Sequence, residues 1–416
     1  MGKKVLVVGS GGRCHAIVDA LSRSAQVEKI YCAPGNAGIA EQAENVAIGV
    51  ENVEALRDFA RDNGIDLTVV GPEASLAAGI ADVFAKAGLR ILGPTKEATM
   101  IESSKEYAKS LMMRHGIPTG AYESFDDFEK ALSYVKSRPL PAVVKYDGLA
   151  AGKGVVVAMT YEEAEAALRD MLLDESFGKG RVIVEEFLDG PEFSFLCLVN
   201  GEKVYPLELS QDHKRAFDGD KGPNTGGMGA YSSVPFISDD VKKEALEKIM
   251  KPTAAALVAD GRPFCGVLYG GLILTADGPK VIEFNARFGD PETEVVLPRL
   301  KSDIYDFFTA VIDGKDFTPE WSDERMLGIV LASKGYPGSY KKNVEINGLD
   351  KVGCRVYHMG TRREDGKLLT SGGRVLMVVG SGASLSEARE KALADISEIE
   401  CDNLFHRSDI GRQAID

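Results

Sequence analysis

The sequence predicts a multidomain protein of mixed α/β and α+β class, in which a doubly wound parallel α/β domain comes first. The chain has 416 residues, enough for two or three separate hydrophobic cores. Over residues 3–103, short β-branched runs alternate with helical stretches, a pattern typical of a parallel sheet covered by helices on both faces. Beyond residue 103 the alternation gives way to paired strand patterns around helices, which is typical of an α+β arrangement.

Composition and charge limit the classes of function. With 44% hydrophobic and 27% charged residues, the chain has the composition of a folded globular protein. Its formal net charge of −14 repels a polyanion, so we expect no nucleic acid partner. No run of about 18 apolar residues is present, and the segment MGKKVLVVGSGG passes from a strand directly into a glycine turn. We therefore expect no membrane partner, a cytoplasmic location and reduced cysteines.

The first domain is predicted from four strand patterns, KVLVVG, KIYCAPG, DLTVVGPE and RILGPT. Helical patterns lie between them, at about residues 14–24, around 53–63 and ending near 85. Because each strand is followed by a helix, the strands are expected to run parallel.

The turn from Gly9 to Arg13 follows the first predicted strand and opens the first predicted helix. Backbone N–H groups and the helix dipole favour an anion at such a place. A dinucleotide fingerprint would need a glycine at Cys14 and an acidic residue ending the second strand, and the sequence has neither. Two interpretations stay open: a turn shaped for a smaller phosphate, and simple packing of the strand on the helix.

A small inserted module is predicted in the middle of the chain. One strand pair is predicted from PAVVKYDG with KGVVVAM, and a second from RVIVEEFL with EFSFLCLVNG. The segment YEEAEAALRDMLL between them has apolar residues near a 3.6-residue period and predicts a helix. We expect this module, at about residues 122–192, to move as a lid.

From about residue 326, strand patterns and the predicted helix SLSEAREKALADISEI form a smaller unit with little obvious chemistry. The predicted domains are therefore residues 1–103, 104–325 and 326–416.

A strand whose polar side chains could bind a metal ion and a phosphate is predicted in the segment KVIEFNARFGDPETE. Alternation along a strand puts Glu283, Asn285 and Arg287 on one face, with apolar residues on the other. A carboxylate and an amide oxygen about 7 Å apart are hard ligands suited to Mg²⁺. Arg287 would then offer a permanently charged fork to a phosphate. The alternative is a solvated strand edge.

Two lysines flank a loop rich in glycine and alanine in VVKYDGLAAGKGVVV. Lys145 ends one predicted strand and Lys153 precedes the next, so the hairpin can lay backbone N–H groups and two ammonium groups over a polyphosphate. It is not a Walker loop. A β-hairpin without a ligand remains the alternative.

In the strand pattern RVIVEEFL the apolar run is followed by Glu185 and Glu186, and Glu192 lies a few residues beyond. The edge of an adenine could hydrogen-bond to this backbone, with Glu192 near ribose hydroxyls, although carboxylates after a strand are usually just solvated.

Farther along, the segment SQDHKRAFDGDKGPNTGGMGAYSS has several glycines close to Asn224 and Thr225. Since glycine costs conformational entropy on folding, this loop indicates close approach to a ligand.

These pieces, in this order, resemble the ATP-grasp superfamily and, within it, the phosphoribosylamine–glycine ligase (glycinamide ribonucleotide synthetase) family. The motifs that carry the resemblance are GSGGRCHAI, APGNAG, VGPE, DGLAAGKGV, SQDHKRAFDGDKGPNTGGMGAYS and VIEFNARFGDPETE. The resemblance runs from about Lys3 to Ile415.

The resemblance implies an ATP-grasp core with an inserted lid, between the amino-terminal domain and a small carboxyl-terminal domain. It also implies an ATP-dependent ligase of purine synthesis that joins glycine to 5-phosphoribosylamine through a glycyl phosphate. ATP and Mg²⁺ (or Mn²⁺) are the implied cofactors, and we expect a monomer.

The same resemblance implies the site residues. At the ATP site it places Lys105, Lys145, Lys153, Glu185, Glu186, Leu188 and Glu192. At the metal it places Glu283 and Asn285. For the phosphoribosylamine region it implies Gly9, Gly11, Gly12, Arg13, Gly35, Asn36, Pro72 and Glu73. For glycine and the acyl phosphate it implies Asp212, Asn224, Thr225, Gly226 and Gly227. The catalytic set is expected to be Arg287, Lys153 and Asp212.

The sequence departs from the family pattern in three places. Cys14 stands where the family typically has a glutamate, which removes a potential charge beside the amine substrate. Tyr146 replaces an alanine, and Glu294 replaces a glutamine. Two other functions remain alternatives: an NAD(P)-dependent oxidoreductase, which would use only the amino-terminal domain, and a non-catalytic nucleotide-binding regulatory module.

Overall fold

The structure is a computed structural model that describes residues 2–148, 154–174 and 176–415. Within these ranges, none of the helices has the length and apolar character that a membrane span requires.

The amino-terminal domain is a parallel sheet with helices on both faces, as predicted. Its strands are β1 (Lys3–Gly9), β2 (Val27–Pro34), β3 (Glu44–Asn45), β4 (Leu67–Val70) and β5 (Ile91–Leu92), in the order β3-β2-β1-β4-β5. Its helices are α1 (Gly12–Ser22), α2 (Val53–Asp62), α3 (Glu73–Ala77) and α4 (Ile80–Lys86).

Strand β1 shows why this sheet is doubly wound. Val5 and Val7 belong to one buried cluster, and Leu6 and Val8 belong to another. Successive side chains of a strand point to opposite faces, so both faces of β1 are covered.

The inserted module has a sheet and a hydrophobic core of its own. Two helices lead into it, α5 (Met100–Ser103) and α6 (Lys105–Arg114). Its strands are β6 (Tyr122–Phe125), β7 (Ala142–Tyr146), β8 (Val155–Ala158) and β9 (Val182–Glu186), in the order β6-β9-β7-β8. Its helices are α7 (Phe128–Lys136) and α8 (Tyr161–Leu172), and their apolar faces join a separate core cluster. The predicted pairing of β7 with β8 is confirmed.

The predicted pairing of RVIVEEFL with EFSFLCLVNG is wrong. Strand β9 pairs with β6 and β7, while the next strand, β10 (Glu192–Asn200), belongs to another sheet. The chain changes sheet at Gly190, whose φ of +148° suits glycine and where an ideal Cβ would lie 2.0 Å from the carbonyl oxygen of Leu274. Alternation predicts a strand and its faces, but not its partner.

The central part of the chain continues with strands that serve three sheets. They are β11 (Lys203–Pro206), β12 (Gln211–Asp212), β13 (Arg215–Phe217), β14 (Lys221–Asn224), β15 (Gly229–Ser232), β16 (Cys265–Thr275) and β17 (Gly278–Asn285). The core sheet has the order β11-β10-β16-β17, and β13 pairs with β14 as a hairpin. The helices here are α9 (Asp239–Ala245), α10 (Lys251–Ala259), α11 (Thr293–Val296) and α12 (Ile304–Ile312), with a π-helical segment at Leu246–Met250.

The last part of the chain completes a sheet that begins earlier. Its elements are β18 (Arg325–Ser333), β19 (Arg355–His358), β20 (Thr361–Glu364), β21 (Lys367–Thr370), β22 (Arg374–Gly382), α13 (Leu385–Ile396) and β23 (Leu404–Phe405). The sheet order is β12-β15-β18-β22-β19, with β23 also on β18. Strands from both sides of the predicted boundary at residue 325 therefore share one sheet.

Two buried histidines join the first and last domains. The Nδ1 atom of His15 accepts the backbone N–H of His358 at 2.9 Å, and both side chains are buried. Burial lowers the pKa of His15 to about 4 and that of His358 to about 3. Both imidazoles are therefore neutral at pH 7, and the stability of this contact depends on their staying neutral.

Acidification should weaken this contact. An unfolded histidine titrates near pH 6.5, so the stability contributed by neutral His15 is complete above that pH and is lost as the pH falls toward about 4. By about pH 5 the loss is about 2 kcal/mol for His15. His15→Asn retains an acceptor and should lose that much less stability between about pH 8 and 5. Denaturant unfolding at each pH checks this, with His115→Gln as the partly exposed control. Equal pH dependence in the native protein and in His15→Asn would contradict the prediction.

Candidate active site

Three segments meet at the carboxyl end of β1. The turn after β1 is joined to the end of β17 because Arg13 Nη1 donates to the carbonyl oxygen of Phe288 at 2.9 Å. The glycine-rich loop reaches the same place, since an ideal Cβ on Gly227 would lie 2.4 Å from Cδ of Pro291. The sequence-predicted sites on these three segments therefore lie next to one another.

Strand β17 carries the two candidate metal ligands. Glu283 and Asn285 are partly exposed, whereas Phe284 and Ala286 are buried, as the predicted alternation requires. The pairing with β16 shifts register between Gly271 and Leu272, so Ile282 is the extra residue of β17; it is partly exposed, whereas strict alternation predicts it on the buried apolar face. Burial raises the pKa of Glu283, but the ammonium groups of Lys214 and others around it outweigh burial, so its pKa lies below the usual value.

The donor set at β17 fits a divalent cation that is shared with a substrate. In residues 2–148, 154–174 and 176–415, no cluster of three His, Cys, Asp or Glu side chains has the geometry of a metal site. Asn285 Oδ1 accepts a hydrogen bond from Arg287 Nη2 at 3.2 Å and has no second donor among the described residues. One ionised carboxylate and one amide oxygen suit Mg²⁺, which usually takes its other ligands from phosphate and water.

Arg287 lies just after the strand and is held by carboxylates. Its Nε is 3.3 Å from Glu102 Oε1 and 3.5 Å from Glu73 Oε2. Burial opposes the charge, but these carboxylates raise the pKa of Arg287 above its usual value. Glu102 also accepts the backbone N–H of Ala286 at 2.8 Å, so it fixes both the strand end and the arginine.

Two lysines of the candidate ATP site lie near Glu283. The ammonium of Lys145 lies 3.0 Å from Glu185 Oε2 and donates to the carbonyl oxygen of Ile282 at 3.2 Å. Lys105 Nζ donates to the carbonyl oxygen of Gly148 at 2.8 Å. Burial lowers the pKa of Lys105, although Glu283 opposes the shift. Lys153, the third predicted lysine, lies outside the described residues.

The other predicted ATP residues line the edge between the inserted module and the core sheet. Glu186 is exposed and accepts the backbone N–H of Ala121 at 3.1 Å. Leu188 is half-buried, and its side chain lies beside Gly120. Glu192, the first residue of β10, forms an ion pair of 2.8 Å with Lys214.

Asp212 lies on β12 among other charged groups. Burial raises its pKa to about 7, with Lys214 opposing and Glu292 adding to the shift. Glu292 is itself buried, and its Oε1 accepts hydrogen bonds from Tyr269 at 2.9 Å and Ser194 at 3.2 Å. Asp212 is therefore able to change charge near neutral pH.

The glycine turn is shaped largely by packing. An ideal Cβ on Gly11 would lie 3.2 Å from Asp290 Oδ2, and one on Gly12 would lie 2.3 Å from Glu294 Oε1. Gly9 has a φ of +136°, which suits glycine. The absent side chains at 11 and 12 let the segment after β17 approach helix α1, so the packing interpretation applies to these two glycines.

The side chain of Cys14 is buried inside the protein. It is 1% exposed, its thiol donates to the carbonyl oxygen of Val8 at 3.7 Å, and burial raises its pKa to about 12. The carboxyl group under the turn belongs to Glu294, which is fully buried and has no hydrogen-bond partner for either oxygen among the described residues. Burial and Asp290 raise the pKa of Glu294 well above its usual value, which favours the neutral acid.

The predicted phosphoribosylamine residues differ in what their side chains do. Asn36 uses its amide within the protein, donating to the carbonyl oxygens of Ser10 and His358 at 2.7 Å each. Gly35, with a φ of +73°, turns the chain just before Asn36. Pro72 precedes helix α3, and Glu73 lies at the first turn, 3.4 Å from Arg13 Nη2. Arg13 and Glu73 are the two side chains of this set placed toward the end of β17.

The glycine-rich loop is held by its own turn and by a tyrosine. Thr225 Oγ1 donates to the carbonyl oxygen of Lys214 at 2.9 Å and accepts the N–H of Gly227 at 3.0 Å. The N–H of Gly226 donates to the hydroxyl of Tyr336 at 3.0 Å. Asn224 is exposed at the end of β14.

Asp290 and Arg374 form a link that sequence reasoning missed. Arg374 Nη2 lies 2.9 Å from Asp290 Oδ1, and its Nη1 donates to the carbonyl oxygens of Gly226 at 2.7 Å and Asp290 at 3.0 Å. Arg13 Nε lies 3.7 Å from the other oxygen of Asp290. Burial raises the pKa of Asp290, but Arg374 and Arg13 outweigh burial and hold the pKa below its usual value. One carboxylate thus joins the turn, the loop and strand β22.

Lys109 was also missed. It lies on α6 between buried Ala108 and Met112 and is itself buried, with Nζ 3.0 Å from Glu185 Oε2. The signal that could have found it is a lysine on the apolar face of an amphipathic helix. Arg374 gives no comparable local signal, because a charged residue at the start of a strand is common.

Three family models match the chain. The N domain of phosphoribosylglycinamide synthetase matches residues 3–102, its ATP-grasp (A) domain matches 103–293, and its C domain matches 326–413. Together they extend over most of the sequence.

Curated relatives match over nearly the whole length. A phosphoribosylamine–glycine ligase from Halalkalibacterium halodurans is 53% identical over 415 residues, covering 99% of this chain and 97% of the relative. The Escherichia coli K12 protein of the same name is 49% identical over 424 residues and covers 99% of each chain.

Solved structures show the same architecture. The phosphoribosylamine–glycine ligase of Thermotoga maritima superposes with a TM-score of 0.86 at 32% identity, covering 98% of this chain and 100% of that one. The biotin carboxylase domain of Hydrogenobacter thermophilus 2-oxoglutarate carboxylase, crystallised with MgADP, ADP and bicarbonate, has a TM-score of 0.72 at 17% identity, covering 98% and 92%. The second likeness concerns the fold alone.

Removing the charge of Asp290 should destabilise the whole arrangement. Asp290→Asn keeps the shape but leaves Arg374 and Arg13 without their shared counter-charge, which should lower the free energy of unfolding by about 3 kcal/mol. Urea unfolding checks this. Asp277→Asn, at an 81% exposed side chain before β17, should change the same quantity by less than about 0.5 kcal/mol. Equal effects of the two substitutions would contradict the assigned role of Asp290.

Proposed function

The chain belongs to the phosphoribosylglycinamide synthetase family, and on this premise we infer that it catalyses the ATP-dependent joining of glycine to 5-phosphoribosylamine. The products are glycinamide ribonucleotide, ADP and phosphate, in the synthesis of purines. The observation that carries the assignment is the match of all three family domains along one chain. Membership of this family favours the ligase over both alternatives considered from the sequence, an NAD(P)-dependent oxidoreductase and a non-catalytic nucleotide-binding module.

The reaction needs activation because a carboxylate is a poor electrophile. The γ-phosphoryl group of ATP passes to a carboxylate oxygen of glycine, which gives glycyl phosphate and ADP. The amine nitrogen of phosphoribosylamine then attacks the carbonyl carbon, the bond from that carbon to the phosphate oxygen breaks, and the nitrogen loses a proton. Positioning and charge stabilisation supply most of the catalysis in phosphoryl transfer.

ATP is assigned to the cleft between the inserted module and the core sheet. Lys105 and Lys145 supply positive charge for the phosphates, and their closeness to Glu283 supports this. Glu185, Glu186 and Leu188 form the base end, with Glu192 beside the ribose. Lys153 completes the set, although it lies outside the described residues.

Glu283 and Asn285 are assigned to hold Mg²⁺ (or Mn²⁺). The support is the low pKa of Glu283 and the second lone pair of Asn285 Oδ1, which has no donor among the described residues. A bound divalent cation supplies charge neutralisation for the phosphate oxygens.

Arg287 and Asp212 are assigned to the reacting groups. Arg287 is held by Glu102 and Glu73 and offers the rest of its guanidinium to the phosphoryl group. Asp212, with a pKa of about 7, accepts the proton that the attacking amine loses, because a general base works best when its pKa is near the working pH.

The two other substrates take neighbouring positions. Phosphoribosylamine is assigned to Gly9, Gly11, Gly12, Arg13, Gly35, Asn36, Pro72 and Glu73. Glycine is assigned to Asp212, Asn224, Thr225, Gly226 and Gly227. Arg374, which bonds to the carbonyl oxygens of Gly226 and Gly227, supports the second assignment because it fixes that backbone.

The inserted module at about residues 122–192 is assigned to close over the cleft. Glycyl phosphate hydrolyses if water reaches it, which gives closure a chemical reason. The separate core of the module supports movement as a rigid unit. We further propose the domain division at residues 103 and 325, a monomer, and action in the cytoplasm.

Release of ADP should depend on both glycine and phosphoribosylamine. Omitting either substrate should lower the rate by at least about 100-fold. Without glycine the phosphoryl group has no acceptor, and without phosphoribosylamine the glycyl phosphate is not consumed. A coupled ADP assay with each substrate left out measures this. A rate that needs neither substrate would contradict the assigned reaction.

Glu283→Gln should reduce ADP release by at least about 100-fold, because it removes the one ionised ligand of the assigned cation. Raising the Mg²⁺ concentration should recover part of the rate. Asp277→Asn, in the turn before the same strand, is the matched control and should retain native activity. Equal rates in Glu283→Gln and the native protein would remove Glu283 from the metal site.

The rate should fall below about pH 7 as Asp212 becomes protonated. A base with this pKa is active when ionised, so kcat should rise with pH toward about 8 in the native protein. Asp212→Asn should have a lower kcat and a flat profile over this range. A native profile that keeps the same slope in Asp212→Asn would assign the titration to another group.

A further inference from the structure

We propose that Lys109 is a positioning residue of the nucleotide site, which gives Glu185 a second, buried counter-charge so that Lys145 is free to turn to a nucleotide phosphate. The inference rests on the proposed function, because it takes Lys145 as a phosphate-binding group. Lys109 itself does not touch the nucleotide in this proposal.

The ammonium group of Lys109 is held by partners inside the protein. Its Nζ donates to Thr119 Oγ1 at 2.8 Å, lies 3.0 Å from Glu185 Oε2 and lies 3.5 Å from the carbonyl oxygen of Gly120. An ammonium has three N–H donors, so each has an acceptor. The side chain is 3% exposed, and a group held in this way cannot reach into the cleft.

Lys145 shares the same carboxylate oxygen but has fewer hydrogen-bond partners among the described residues. Its Nζ also lies 3.0 Å from Glu185 Oε2, and its other acceptor is the carbonyl oxygen of Ile282 at 3.2 Å. Glu185 Oε1 has no hydrogen-bond partner among the described residues. Two ammonium groups thus meet one oxygen, and the three side chains carry one excess positive charge.

The sharing decides which lysine can leave. If Lys145 turns to a phosphate, Glu185 remains paired with Lys109, and no isolated charge stays buried. Without the charge of Lys109, Lys145 would be the one counter-ion of a buried carboxylate, and its departure would leave that charge uncompensated. Such a loss is strongly unfavourable in a protein interior, so Lys145 would be retained on Glu185.

Lys109 is also linked, through Thr119, to strand β17, which carries Glu283. Thr119 Oγ1, which accepts from Lys109, donates to the carbonyl oxygen of Val281 on β17 at 2.8 Å. Thr119 and Val281 also form a β-bridge. The fixed lysine therefore lies on α6 and is tied to the strand of Glu283, while Lys145 lies on β7 of the inserted module.

Four full-length proteins test the inference: native, Lys109→Gln, Glu185→Gln and Lys109→Gln/Glu185→Gln. Glutamine at 109 keeps a hydrogen-bond donor and removes the charge. ATP binding with Mg²⁺ is measured by calorimetry, and KM is measured separately for ATP and glycine. Lys109→Gln should weaken ATP binding at least about tenfold, because Lys145 is retained, while KM for glycine stays within about twofold.

The double variant separates positioning from a structural role. With both side chains neutral, nothing retains Lys145, so ATP binding should return to within about twofold of Glu185→Gln alone. Additive losses in the double variant would overturn the proposal, as would native ATP affinity in Lys109→Gln. If Lys109→Gln does not fold, the same comparison of the double variant with Glu185→Gln decides the matter.

A matched control exists away from the nucleotide. Glu208 is also shared by two cations, Lys242 at 2.6 Å and Arg299 at 3.1 Å. Lys242→Gln removes one of them and should leave ATP affinity unchanged; an equal loss there would make the effect nonspecific and overturn the inference. Absence of ATP binding by the native protein would overturn the proposed function as well, whereas native binding with an unaffected Lys109→Gln would overturn this inference alone.

Discussion

The arrangement depends on Asp290, a carboxylate placed between Arg374 and Arg13. Arg374 comes from the last sheet and Arg13 from the turn after the first strand, so one side chain holds together segments that are far apart in sequence. Arg374 also bonds to the carbonyl oxygen of Gly226 and so carries the link to the glycine-rich loop. This contact therefore links the segment after strand β17, the turn after β1 and the glycine-rich loop.

Several charged side chains near the predicted site are held in ion pairs. Arg287 lies between Glu102 and Glu73, and Lys214 pairs with Glu192. Glu294 has no hydrogen-bond partner for either carboxyl oxygen among the described residues, and burial with Asp290 raises its pKa well above the usual value. An anionic group that bound to Lys214 or Arg287 would therefore compete with the carboxylates that already hold these side chains.

The sequence allowed the type of most elements to be predicted, and the alternation in β17 placed Glu283 and Asn285 on one face. Local patterns suffice for such statements because a strand face or helix face is set by neighbours in sequence. The partner of β10 was missed, because pairing depends on where the chain turns at Gly190. Arg374 and Lys109 were missed because their partners lie in distant segments.

The sheet shared by β12, β15, β18 and β22 makes the chain difficult to divide. Strand β15 directly follows the glycine-rich loop and pairs with β18, which begins at Arg325. A fragment that stops before β18 would leave β15 with bare backbone N–H and C=O groups and an exposed apolar surface, open to edge-to-edge association with another molecule. Protein engineers who wish to reassemble this enzyme from two pieces should therefore place the break outside that shared sheet.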